Sequence, residues 1–96
     1  MRGALNRKET IMFYVYYLRS KNYNQSYVGY TEDLKLRMKR HNSGLVQSTK
    51  PYHPWELMFY EAYKSRKDAK RRELYFKTTK GRKTLKIILK DSLIID

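Results

Sequence analysis

Two tyrosines, an arginine, a histidine and one glutamate are the residues of this chain best suited to chemistry. Tyr16 closes the run Tyr14-Val15-Tyr16, and Tyr27 opens the run Tyr27-Val28-Gly29. Arg37 and His41 follow at i and i+4, so a helix would put them on one face. An arginine fork suits bidentate contact with phosphate. A histidine beside it can donate to a phosphate or shuttle a proton. Glu73 lies in a segment rich in lysine and arginine, with Ala69 four residues before it and Phe76 three after. On a helix those neighbours turn it toward the core, where a lone charge is costly. Its partner is then either a cation of the same segment (Lys70, Arg72 or Lys77) or a hard metal ion. Mg²⁺ is content with one carboxylate, several waters and a substrate phosphate.

The balance of charge names the kind of partner. Lysine and arginine number 22 against 9 acids, for a net charge of +13. Such a field attracts polyanions and gives phosphate affinity without sequence preference. Ten tyrosines add stacking surfaces. Between Lys64 and Lys83 there are ten basic residues and two acids. Of these, Lys67, Lys70, Arg71 and Lys77 are candidates for a phosphate track. Lys50 and His53, in the loop before the third strand, could also reach a substrate. Gly29, with no side chain, would let a substrate backbone or a helix come close. Glu61 reads as half of a structural pair at a strand end. The plainer alternatives are tyrosines that only pack a sheet, a solvated helix face and a basic surface with no specific partner.

The elements that must position these residues are legible. The chain has 96 residues, 41% of them hydrophobic, which bounds it to one domain with one modest core. No cysteine is present, so there is no disulfide framework and no thiolate metal site. No apolar run approaches the ~20 residues of a membrane span, and the expected location is the cytoplasm. Residues 1–10 read as a flexible leader and 11–93 as the domain. Ile11 to Leu18 is rich in β-branched and aromatic residues and predicts a strand. A polar loop follows, then a return strand over Ser26 to Tyr30. Thr31 is the expected N-cap of a helix running to about Arg40, with Asn42-Ser43-Gly44 as its stop. Trp55 to Tyr63 predicts the third strand. Ser65 and Asp68 predict the start of a second helix that runs to about Thr79. Gly81 is expected to break it, leaving Arg82 to Leu89 as a short terminal helix. The order β-β-α-β-α-α predicts an α+β domain with a small, mainly antiparallel three-stranded sheet flanked by helices. Strand alternation would allow Tyr16 and Tyr27 to share one surface.

These elements, in this order, resemble the GIY-YIG nuclease family. Tyr14-Val15-Tyr16 stands where the first motif would be and Tyr27-Val28-Gly29 where the second would be. Arg37 falls ten residues after Tyr27, at the place of the family's catalytic arginine, with His41 at the common Arg-x-x-x-His spacing. Glu73 falls where the family has its metal-binding glutamate. The resemblance is closest to the small stand-alone bacterial members, and is similar to the nuclease domain of bacterial excision repair. Tyr14 departs from the motif's glycine and Val28 from its isoleucine. No counterpart is found of an asparagine that some members carry near the C-terminus.

What the resemblance implies is metal-dependent hydrolysis of DNA phosphodiesters; RNA stays open as a substrate, and so does the pathway, whether repair, uptake, mobile element or defence. It implies Mg²⁺ or Mn²⁺ on Glu73, Tyr16 or Tyr27 as the general base, Arg37 as the phosphate stabiliser, and His41 as a second base or phosphate donor. Larger relatives carry an attached DNA-binding domain. None is expected here, so this chain would bind through its own basic surface or a targeting protein partner. The alternative is a nucleic-acid-binding module that keeps the fold without catalysis, or a structural RNA-binding protein.

Overall fold

Val15 and Tyr16 are neighbours in sequence, yet each is only 1% exposed. Successive side chains of a strand point to opposite faces, so both faces of this strand must be covered. In the computed structural model, which describes residues 11–94, that strand is β1 (Phe13–Ser20), the middle of a three-stranded sheet. The leader expected over residues 1–10 lies outside the described residues. On one side β1 pairs antiparallel with β2 (Ser26–Thr31), Tyr16 opposite Gly29 and Leu18 opposite Tyr27. On the other side it pairs antiparallel with β3 (Trp55–Tyr63), with a register shift between Tyr17 and Leu18. The sheet order is β2-β1-β3.

Three helices cover the sheet: α1 (Leu34–Asn42), α2 (Arg66–Phe76) and α3 (Thr79–Ile88). Short 3₁₀ turns occupy Lys50–Tyr52 and Ser92–Ile94. The order is β-β-α-β-α-α and the class α+β, as the sequence predicts. Each face of the sheet has its own apolar cluster. Val15 packs with Ala69, Phe76, Leu85 and Leu89 beneath α2 and α3. On the opposite face Tyr16, Leu18 and Trp55 pack with Leu34 and Met38 of α1. Among the described residues no helix is long and apolar enough to cross a membrane.

Two helix boundaries differ from expectation. The cap of α1 is Asp33, whose carboxylate accepts from the Leu36 N–H at 3.0 Å. Thr31 instead ends β2, and its hydroxyl accepts the Asp33 N–H at 3.1 Å. Two hydrogen-bonding side chains compete for the same turn, and the second wins because β2 pairs through Thr31. The second correction concerns Gly81. It does not break a helix but sits in the first turn of α3. The chain turns earlier, at Lys77 and Thr78, and the Thr78 hydroxyl caps α3 by accepting the Gly81 N–H at 3.0 Å. Gly81 is buried because α3 crosses the end of α2 there. A Cβ on it would lie 1.8 Å from the Tyr75 carbonyl oxygen. Glycine is needed for a close approach, not for a break. Gly44, by contrast, does take the left-handed conformation after α1, with φ +72°.

Candidate active site

The site begins with the space that Gly29 leaves open. Tyr16 lies opposite it in the β1–β2 pair. A Cβ on Gly29 would fall 2.3 Å from both Cζ and the hydroxyl oxygen of Tyr16. The missing side chain therefore lets the Tyr16 ring lie across β2 and carry its hydroxyl toward the sheet's edge. Gly29 itself is buried under that ring. The sequence leaves room there for a substrate backbone or a helix, and what fills it is the Tyr16 ring. Tyr27, diagonal to Tyr16 on the same face, brings its ring centroid to 6.3 Å from that of Tyr16.

Helix α1 supplies the next two residues. Arg37 and His41 do lie on one face, turned to the sheet. The Arg37 Nε–H donates to the Tyr16 hydroxyl at 3.3 Å. The Tyr16 hydroxyl lies 2.8 Å from His41 Nε2. On the far side of the imidazole, Nδ1 is 2.7 Å from the Thr49 hydroxyl. That hydroxyl also donates to the Val46 carbonyl, at 3.3 Å. With that proton assigned to Val46, Thr49 accepts from His41 and the imidazole proton is placed on Nδ1. Nε2 is then an acceptor, and Tyr16 must donate to it. The chain of donors runs Arg37 to Tyr16 to His41 and, from the other ring nitrogen, His41 to Thr49 to Val46.

Burial sets the charges along this chain. Tyr16 is 1% exposed, and burial pushes its pKa up to about 12. The Arg37 hydrogen bond pulls the other way, while charge on Tyr27 and Glu73 adds to the rise. His41 is wholly buried; burial, and then the Arg37 charge, bring its pKa down to about 4. Arg37 has its pKa raised, first by the hydrogen bond to Tyr16. At neutral pH the relay is therefore a guanidinium, a phenol and a neutral imidazole.

Glu73 comes from the opposite face of the sheet, around the β2 edge. Arg66, Lys70, Glu73 and Lys77 form one stripe of α2, at i, i+4, i+7 and i+11. Arg66 reaches Tyr30 and Glu32, and the Lys70 ammonium lies 4.4 Å over the Tyr30 ring. The Glu73 carboxylate is close enough for its charge to be felt at Tyr16. Its side chain is 14% exposed, and Lys77 pairs with Oε2 at 3.1 Å. Of the three cations expected as partners, Lys77 is the one that pairs with it among the described residues. Among the described residues no group of three or more histidines, cysteines and acids gathers to hold a metal. A divalent cation would rest on Glu73 alone, which suits Mg²⁺ with its retained waters. The residues fit, because Lys77 is half exposed and can yield its place.

The other candidates fall elsewhere. Lys67 and Lys50 are exposed, on α2 and on the 3₁₀ turn after Thr49. Arg71 pairs with Asp68 at 2.9 Å, away from Tyr27. Glu61 is structural as expected. Arg72 donates to both of its oxygens, at 2.9 and 3.1 Å. Burial raises the Glu61 pKa, but the Arg72 and Tyr63 hydrogen bonds more than offset that. The contact of Thr49 with His41 is not announced by the sequence, where Thr49 stands only in the stretch Ser48-Thr49-Lys50 of the loop before the third strand.

Residues 12–86 match the GIY-YIG catalytic domain. The chain is 40% identical over 81 residues to the UPF0213 protein YazA of Bacillus subtilis, covering 82% of this chain and 81% of that one. It is 32% identical to a UPF0213 protein of Clostridium perfringens, covering 85% and 88% of the two chains. The solution structure of a UPF0213 protein from Bacillus halodurans superposes with a TM-score of 0.52 at 31% identity, over 85% of this chain and 87% of the other. On the match, the two tyrosine motifs and the shared fold, the chain belongs to the GIY-YIG family of nuclease domains.

Proposed function

We propose that the protein is a DNA endonuclease that hydrolyses phosphodiester bonds with a divalent metal ion. The observation that carries this reading is the buried, one-directional relay from Arg37 through Tyr16 to His41 and Thr49. Buried polar networks of this kind hold a group in one orientation, which a merely structural tyrosine does not require. Arg37 spends its Nε on Tyr16, which orients its terminal nitrogens toward phosphoryl oxygens. Tyr16 is closed off from solvent, whereas Tyr27 is half-buried beside it at the sheet's edge. Tyr27 therefore orients the attacking water, and Tyr16 holds Arg37 and His41 in register. His41, with its Nδ1–H donated to Thr49, keeps Nε2 as the acceptor that holds the Tyr16 hydroxyl in place. The chemistry a Mg²⁺ or Mn²⁺ ion at Glu73 would supply is positive charge beside the scissile phosphate.

The test is cleavage of labelled single-stranded, duplex and branched DNA with Mg²⁺, with Mn²⁺ and with EDTA. Wild type and Glu73→Gln are run side by side. Wild type is expected to cut only with metal, and the variant to lose roughly 10²-fold or more. A variant that cuts at the wild-type rate would remove Glu73 from the site. Binding without cleavage under every condition would overturn the nuclease reading in favour of a binding module.

A further inference from the structure

On the other side of Tyr27 the molecule has a groove of about 460 Å³, between the outer edge of β2 and the ends of α2 and α3. Its floor is apolar: Val28, Phe76 and Leu85. Phe76 and Leu85 are 1% and 3% exposed, so the floor is closed rather than a gap into the core. Its rim carries Lys77, Arg82 and Lys86, and no acidic residue lines it. Arg82 and Lys86 are exposed and, among the described residues, neither makes an ion pair. Tyr17 offers a half-buried ring whose hydroxyl, among the described residues, has no hydrogen-bond partner.

We propose that this groove holds the nucleotide next to the scissile phosphate of a single-stranded or unpaired substrate. An apolar floor with an aromatic wall takes a base by stacking and contact, without reading its identity. Arg82 and Lys86, one helical turn apart on α3, hold its flanking phosphates. The groove is continuous with the candidate active site at two points. Tyr27 stands at its mouth, and Lys77 joins its rim to the Glu73 carboxylate. A base seated there would place the adjoining phosphate at Tyr27. The proposal rests on the nuclease reading for the word scissile, but its binding arm stands without cleavage. The open edge of β2 could also accept an extended peptide. Three cations and no acid on the lining favour a polyanion.

The experiment titrates a single-stranded oligothymidylate into the protein in metal-free buffer, followed by amide NMR and by fluorescence anisotropy. A parallel arm uses Arg82→Ala/Lys86→Ala, two exposed positions whose loss should leave the thermal midpoint in place. The expected result is movement of the Val28, Leu85 and Lys86 amides on binding. The double variant should bind roughly tenfold more weakly, with a salt slope shallower by about 1.4, the share of two single-strand phosphates. In cleavage assays with metal, its loss should fall mainly on KM. If wild type binds in the groove but never cuts, the nuclease reading fails and the groove stands. If it cuts and the double variant has the wild-type affinity and KM, the groove fails and the nuclease stands. Amide shifts confined to other faces, or a basic peptide binding along β2 in place of the oligonucleotide, would also overturn it.

Discussion

At the scale of single residues, the site stores a buried neutral histidine, and this has a cost that can be measured. In the unfolded chain His41 takes a proton near pH 6.5; in the folded chain it does so only near pH 4. Between those values the unfolded state binds more protons, so stability falls as pH falls. Going from pH 7 to pH 5 should lower the unfolding free energy by roughly 2 kcal/mol through this residue. Urea midpoints at the two pH values would measure it, and His41→Gln should flatten the difference. Glu61 acts in a separate window, because its stabilisation is lost only below its unfolded value of 4.5. A wild-type protein equally stable at pH 7 and pH 5 would mean that His41 is solvated, and one more stable at pH 5 would mean that it is already charged in the fold. The sequence offers the members of this constellation but not the order in which they touch. The Arg37–His41 spacing and the strand parity of Tyr16 and Tyr27 are local and readable. The Thr49 contact depends on how the loop after α1 folds back, and no period records that. Gly29 reads as room for a substrate backbone or a helix, and an empty position does not say that a tyrosine ring fills it.

At the scale of elements, patterned segments were legible and tight junctions were not. Trp55–Tyr63 appears with the limits its aromatic run implies, and the Ser65 cap is in place, accepting the Asp68 N–H at 3.4 Å. Both misplaced boundaries lie where a residue with a strong local preference is overruled by packing. Gly81 shows this with a clear sign. Intrinsic propensity says that Gly81→Ala in a helix should stabilise by about 1 kcal/mol. The new Cβ, however, would meet the Tyr75 backbone at 1.8 Å, and backbone cannot rotate aside as a side chain end can. The contact should win, with a net loss of about 2–3 kcal/mol in urea unfolding as α3 is pushed off the end of α2. A stabilised variant would show that the α2–α3 junction is looser than this contact implies. The same junction carries Lys77 and Arg82, so the variant should also disturb the groove beside Tyr27.

At the scale of the whole molecule, +13 is a net charge, and its distribution decides what it does. Part of it is already engaged within the fold. Arg72 is held in a two-point contact by Glu61, and its guanidinium stacks 4.4 Å from the Phe76 ring. Arg66 and Arg71 pair with Glu32 and Asp68. Lys50, Lys67, Arg82 and Lys86 are among the exposed cations that make no such pair among the described residues, which leaves them available to phosphates. Neutralising phosphates releases condensed counter-ions, so log K should fall linearly with log salt. If about six phosphates are engaged on a single strand, the slope should be near −4. Arg72→Ala should lower the unfolding midpoint, with little change in that slope. Lys67→Ala and Lys86→Ala should each make the slope shallower by about 0.7 while the fold is untouched. Anisotropy titrations across a series of salt concentrations separate the two behaviours. A slope near zero in wild type would mean that the charge serves something other than nucleic acid, and the basic face would lose its meaning as a substrate track.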